Sequence, residues 1–111
     1  MWLFTKQGFY SIVSKGEQEF HVRARAKKDL ANLNRLAGTK YTIHRSEDAD
    51  YRWRMVVTGD EARGLIAKLA ADIDYSNFKG VVARTPGQQD KLAILHRIWE
   101  MMCDYQFGHE E

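Results

Sequence analysis

The sequence is poor in the residues that cross-link or interrupt a chain. Among its 111 residues there is one cysteine, Cys103, and one proline, Pro86. A single cysteine cannot form a disulfide within the chain, and an unpaired thiol is typical of a reducing compartment. With so little proline and a hydrophobic fraction of 44%, the composition favours a folded chain over a disordered one. We therefore expect a single cytoplasmic domain spanning residues 1–111.

Long apolar runs and the common catalytic motifs are also missing. The opening Met-Trp-Leu-Phe reaches Lys6 and Gln7 at once, so we expect neither a signal peptide nor a membrane span. There is no glycine-rich phosphate loop, Gly-x-Ser-x-Gly elbow or dinucleotide fingerprint. The histidines share no metal-ligand spacing, and Cys103 has no activating neighbour in sequence. The sequence therefore predicts no cofactor, no metal site and no enzymatic activity.

Strict apolar/polar alternation marks two segments as half-buried strands. The first runs from Phe20 to Ala26 and the second from Tyr51 to Val57. The pleat sends alternate side chains to opposite faces of a sheet. The apolar face is predicted to carry Phe20, Val22, Ala24 and Ala26 from the first strand, and Tyr51, Trp53, Met55 and Val57 from the second. We expect Trp53 to lie in the core.

Neighbouring segments predict further strands. Trp2–Phe4 and Phe9–Val13 are rich in β-forming residues, and a glycine between them suits a hairpin loop. Residues 9–26 look like a second hairpin, and residues 41–45 pair naturally with the strand that ends at Val57. The sheet is therefore expected to have four or five antiparallel strands.

Helical spacing and capping signals predict three helices. The first begins near Lys27 and ends at Gly38, a residue suited to the left-handed conformation. The second begins with a capping box formed by Thr58 and Glu61. The third opens at Thr85-Pro86, with threonine as the cap. The order β-β-α-β-β-α-α predicts an α+β fold with helices on one sheet face, in the general manner of ferredoxin-like domains.

Several segments together resemble a family of small uncharacterised bacterial proteins. The matching residues are Met1-Trp2, Thr5, Gly8-Phe9 and Ser11-Ile12-Val13, then Val22-Arg23-Ala24-Arg25, the run from Asp72 to Lys79, and Trp99. The resemblance covers most of the chain and implies a bacterial or phage origin. The family has no assigned activity, so the resemblance implies no catalytic or binding residues.

The polar faces of the two alternating strands define the first candidate site. If both strands belong to one sheet, the side chains that emerge together are His21, Arg23, Arg25, Arg52 and Arg54, with His44 nearby. Arginine suits phosphate or carboxylate, and basic sheet faces bind single-stranded nucleic acid in several folds. Such platforms need outward aromatic rings, which only Phe9 or Tyr10 could supply. A solvated face, a protein-partner surface and an anion or nucleic-acid surface all remain open.

A polar segment after the second helix is the other candidate site. It contains Asp72, Asp74, Tyr75, Ser76, Asn77 and Lys79, and its carboxylates suit a hard cation or acid-base chemistry. The spacing lacks the glycine and distal glutamate of a calcium loop. A structured turn explains the same residues if Asp74 and Asn77 bond local backbone while Ile73 and Phe78 anchor the core.

The last predicted helix carries more apolar surface than one packing contact needs. Ile94, Met101 and Cys103 lie beyond its main apolar face, which suits either burial or an oligomer interface. The leading hypothesis is a non-enzymatic binding protein, a bacterial or phage regulator or inhibitor, that acts on a protein partner or as a homo-oligomer and not on membranes. A nucleic-acid-binding domain that uses the arginines is the alternative. A small enzyme at residues 72–79 is the weakest hypothesis.

Overall fold

The computed structural model describes residues 1–109, which form two compact units. Unit 1 is Met1–Asp74 and contains a sheet with two helices. Unit 2 is Tyr75–Glu111, and its described part is helical. The boundary falls inside the polar segment that follows the second helix.

Unit 1 is built on an antiparallel five-stranded sheet. Its strands are β1 (Trp2–Thr5), β2 (Gly8–Ser14), β3 (Phe20–Ala24), β4 (His44–Arg45) and β5 (Trp53–Val57). They lie in the order β1-β2-β3-β5-β4, and every neighbouring pair is antiparallel. The helices are α1 (Lys27–Ala37) and α2 (Gly59–Ala71). The predicted α+β class and antiparallel sheet are confirmed, with three strands before α1 where the predicted order had two.

Unit 2 contains α3 (Phe78–Arg84), a 3₁₀ turn (Gln89–Lys91) and α4 (Leu92–Gly108). The helix α3 was not expected, because turn-forming residues dominate the segment before it. The helix begins there because the side-chain oxygen of Asn77 accepts the Gly80 N–H at 2.9 Å and caps its first turn.

The hydrophobic core lies on one side of the sheet, where the alternation predicted it. Val22 and Met55 are directly opposite on β3 and β5, and both are fully buried. The same cluster includes Tyr10 and Ile12 from β2, Leu30 and Leu33 from α1, and Ala62, Leu65 and Leu69 from α2. Trp53 packs against this cluster, so it lies on the predicted face of the sheet. It is only partly buried, so the prediction that it lies inside the core is wrong.

Two predicted helix ends are confirmed in detail. Gly38 ends α1 with φ 69° and ψ 29°, a left-handed conformation that side chains other than glycine rarely adopt. At the start of α2, the Thr58 hydroxyl accepts the Glu61 N–H, and the Glu61 carboxylate accepts the Thr58 N–H at 2.8 Å. That backbone hydrogen bond is the main reason why the pKa of Glu61 lies below its ordinary value.

Two other expectations about helix ends are wrong. Thr85 ends α3 and does not begin α4, because Gly87 follows with φ 81° and the chain makes a turn before Leu92. Ile73 does not anchor the core. It lies beyond the end of α2 and is exposed.

Among residues 1–109, no helix is both long enough and apolar enough to cross a membrane.

The core placement predicts a clear contrast between two neighbouring residues of β5. Met55→Ala should lower the free energy of unfolding by about 2 to 5 kcal/mol, because it opens a cavity in a fully buried site. Val56 points to the opposite, exposed face, so Val56→Ala should cost less than about 1 kcal/mol. Chemical denaturation of both variants measures the contrast, and equal losses would contradict the assigned faces.

Candidate binding face

The five strands place one residue each in a continuous row across the sheet face opposite the core, exposed at both ends and buried at Ser11. Trp2 is opposite Ser11, Ser11 is opposite Arg23, Arg23 is opposite Arg54, and Arg54 is opposite His44. Directly opposite residues share a face, and strands lie roughly 4.8 Å apart, so the row is roughly 19 Å long. We call these five residues the transverse row. It runs from the exposed Trp2 ring on the edge strand β1 to Arg23 on the central strand and Arg54 on β5.

Arg23 and Arg54 form a cationic pair without a carboxylate between them. One guanidinium nitrogen of Arg23 donates to the Ser11 hydroxyl at 2.7 Å, and Arg54 donates to the Tyr51 carbonyl at 3.3 Å. The Nε atoms of both arginines are buried and have no hydrogen-bond partner. Like charges directly opposite on a sheet repel, and a buried donor without an acceptor is costly. An anion bound at the outer N–H groups of this pair would relieve the repulsion between the two charges.

The Tyr51 ring packs against Arg23 of the cationic pair and against Arg25. Tyr51 precedes β5 and is only 4% exposed. The sequence predicted that its ring faces the core. The guanidinium carbon of Arg23 lies 4.6 Å from the centre of the ring, and that of Arg25 lies 4.2 Å away. Cation–π attraction therefore packs both arginines onto Tyr51, and the expected inward direction of this ring is wrong.

His21 connects the cationic pair to a glutamate. Its Nδ1 accepts a hydrogen bond from Arg54 at 3.1 Å, and its Nε2 lies 2.8 Å from the Glu19 carboxylate. Because a guanidinium can only donate, Nδ1 must carry the lone pair and Nε2 the proton. The nearest carboxylate in this chain of contacts is therefore separated from Arg54 by the whole imidazole ring.

Three aromatic rings lie beside the arginines on the same face. Phe4 and Phe9 are stacked with ring centres 4.5 Å apart, and Trp2 meets Phe9 edge to face at 5.9 Å. Trp2 is 67% exposed. We call Trp2, Phe4 and Phe9 the aromatic shelf. Tyr10 is fully buried in the core, so Phe9 is the residue of that pair that faces outward.

The remaining predicted arginines contribute differently. Arg25 follows β3, covers Tyr51 and pairs with Asp50 at 3.4 Å, so its charge is partly balanced. Arg52 is exposed just before β5 and forms none of the contacts described above. The structure thus brings His21, Arg23, Arg25 and Arg54 together around Tyr51. The sequence analysis missed Trp2, Phe4 and Tyr51, and the alternation of β2 left the direction of Phe9 open.

The two aspartates of the polar segment belong to unit 1 and form ion pairs there. The Lys6 ammonium lies 2.8 Å from Asp74 and 3.6 Å from Asp72, and Gln7 donates to Asp72 at 2.8 Å. The hydrogen bond from Lys6 holds the pKa of Asp74 below its ordinary value. These contacts fasten the end of α2 to the turn between β1 and β2, which is a structural role.

That turn is itself fixed by a buried carboxylate. Asp29, at the start of α1, accepts the Phe9 N–H at 3.2 Å, while its own carbonyl accepts the Tyr10 hydroxyl at 2.6 Å. A Cβ on Gly8 would collide with the Asp29 carboxyl group. Burial, together with Asp29 and Asp72, raises the pKa of the Tyr10 phenol. The direction of Phe9 therefore depends on a close approach that only glycine permits.

The other predicted residues of the polar segment belong to unit 2. Tyr75 lies 6.1 Å from the Phe78 ring, and Asn77 caps α3. Lys79 lies 4.4 Å from the centre of the Trp99 ring and 3.2 Å from His96 Nδ1. Lys79 and His96 also line an open groove of about 730 Å³. The structure does not gather the six residues into one cluster within either unit.

Within the described part of the chain, no three His, Cys, Asp or Glu side chains are grouped so that they could hold a metal ion. No protein-family model, curated protein or solved structure matches the chain. The resemblance to small bacterial proteins therefore stays a prediction.

The ion pairs of Lys6 predict a pH dependence. Because the folded-state pKa of Asp74 is lowered, the pair stabilises the fold above the ordinary carboxyl pKa and loses that effect as the pH falls through the lowered value. Lys6→Gln should therefore lower the melting temperature most near neutral pH and progressively less under acid.

The matched control is Lys40→Gln, which removes an equal charge from an exposed lysine of unit 1. Melting curves over a pH series measure the stability of each variant. A carboxyl NMR titration follows Asp74 directly. An Asp74 pKa that is the same in Lys6→Gln and in the unsubstituted protein would contradict the role given to this pair.

Proposed function

We propose that the protein is a non-enzymatic binding protein whose open sheet face holds a single strand of nucleic acid. The observation that carries this proposal is the transverse row, in which the Arg23–Arg54 pair lacks a carboxylate and shares one line with the exposed Trp2 ring. Phosphate groups and unpaired bases are the ligands that fit these two features.

The cationic pair suits a phosphate because of its geometry. Guanidinium groups present several N–H donors in a plane and bind phosphate oxygens in pairs. At this site no carboxylate occupies the pair, and Ser11 and the Tyr51 carbonyl already fix the positions of the side chains. A phosphate would therefore meet a prearranged site, so little side-chain entropy is lost on binding.

The aromatic shelf favours single strands over duplexes. An exposed ring can stack on a base only if that base is unpaired and accessible, and such stacking tolerates any base sequence. Trp2 is supported edge to face by Phe9, so its ring is held in a defined orientation. With a length of roughly 19 Å, the row corresponds to the few-nucleotide sites of other single-strand-binding sheets.

The predicted oligomer interface lies on a different surface from the arginines. Large apolar side chains of α4 in unit 2 are exposed, and they are far more apolar than the transverse row. Nucleic-acid binding by the sheet and association through α4 therefore depend on separate residues and can be tested one at a time.

The test is fluorescence anisotropy with labelled single-stranded DNA and RNA homopolymers over a series of salt concentrations. Arg23→Gln/Arg54→Gln should weaken binding and reduce the slope of log affinity against log salt by roughly 1.4, because two phosphate contacts are lost. Trp2→Ala should cost about 1 to 3 kcal/mol and leave the slope unchanged, since stacking releases no counterions.

Arg35→Gln/Lys68→Gln is the matched control, since it removes the same charge from exposed positions on the two helices of unit 1, which pack on the other face of the sheet. It should retain most of the affinity. Thermal melting of each variant confirms that it is folded. The proposal is contradicted if the unsubstituted protein does not bind, if duplex of the same length binds as tightly, or if the control loses as much affinity as the arginine pair variant.

A further inference from the structure

The helix α4 carries an exposed apolar stripe with the spacing of a coiled coil. Ile94, Ile98, Met101 and Tyr105 follow one another at intervals of four, three and four residues. Such intervals place side chains on one face of a helix and form the seam of paired helices. Ile94 is 57% exposed, Met101 68% and Tyr105 59%, while Ile98 is half-buried. We call these four residues the α4 stripe.

Two opposite charges flank the α4 stripe on the same side. Arg97 and Asp104 each precede a stripe residue, Ile98 and Tyr105 respectively, and they are seven residues apart. Both side chains are exposed, and in the described part of the chain neither forms an ion pair. In heptad terms they occupy equivalent flanking positions, where charges select the partner and its direction.

We propose that the α4 stripe binds the α4 stripe of a second copy of this chain in antiparallel orientation. In a two-fold pair centred near Glu100, Ile94 lies opposite Tyr105 of the second copy, and Ile98 lies opposite Met101 of the second copy. The same arrangement brings Arg97 beside Asp104 of the second copy, and the symmetry repeats this ion pair on the other side. One surface is therefore complementary to itself in both apolar pattern and charge.

The charges distinguish this arrangement from a parallel pair. In parallel helices, the position of Arg97 faces the residue that follows a seam position in the second copy, here Met102. Arg97 then meets no opposite charge, and Asp104 faces His109 in place of a guanidinium. The antiparallel pair satisfies both charges twice, so it is the orientation that the sequence of α4 favours.

The experiment measures association by sedimentation velocity over a wide concentration range with the full chain. The unsubstituted protein should be a concentration-dependent dimer. Arg97→Asp and Asp104→Arg should each weaken the dimer roughly tenfold or more, because each change replaces two attractions with two repulsions. Combining both substitutions in one chain should restore the homodimer.

A mixture of the two single variants gives the sharpest result. In the antiparallel pair, a chain with Arg97→Asp and a chain with Asp104→Arg have opposite charges at both flanking contacts. The mixture should therefore form a heterodimer more tightly than either variant associates alone. Ile94→Glu should abolish association by placing a charge in the seam. All of these substitutions are at exposed positions, and circular dichroism checks that the helices remain.

Three results would overturn the inference. The first is a monomer at every concentration. The second is a dimer whose affinity does not change on either charge reversal. The third is a mixture that associates no better than the separate variants. None of these results depends on nucleic-acid binding, because no residue of the transverse row is changed.

Discussion

The pairing of β3 with β5 is the constraint on which the transverse row depends. Burial of Val22 opposite Met55 fixes the register of the two strands. Because side chains alternate, this register forces Arg23 opposite Arg54 on the other face. A slip by one residue would bury the arginines and expose the core. Packing of the core face therefore keeps Arg23 and Arg54 opposite each other despite the repulsion between their charges.

Local sequence signals predicted the elements wherever a single physical cause acts. Alternation placed Val22 and Met55 in the core, and the capping box at Thr58 marked the start of α2. Such signals fail where the same residues suit two different local structures. Thr85-Pro86 has the chemistry of a helix start, yet Gly87 supplies a left-handed turn instead. The polar segment before α3 has the chemistry of both a turn and a cap, and only the structure shows that Asn77 caps.

The sequence predicted the arginines of the candidate site but not most of its aromatic residues. The strand alternation shows directly that Arg23 and Arg54 leave the core. By contrast, β2 has β-forming residues on both faces, so its composition does not determine whether Phe9 or Tyr10 points inward. That choice is made by tertiary contacts, namely the hydrogen bond of Tyr10 to Asp29 and the close approach of Gly8. Tyr51 was misplaced because the strand begins two residues later than its alternation suggests.

A sheet face that only meets solvent has no need of this arrangement. Like charges in direct opposition cost stability, and a threonine or glutamate opposite Arg54 would avoid that cost. The chain instead packs Arg23 on the Tyr51 ring, gives it the Ser11 hydroxyl as a hydrogen-bond acceptor, and places His21 next to Arg54. In other proteins, locally unfavourable arrangements that the surrounding structure holds in place are concentrated at functional sites. The central pair also differs from other arginines of unit 1: Arg25 and Arg63 have acidic partners, as ordinary surface charges do, whereas Arg23 and Arg54 do not.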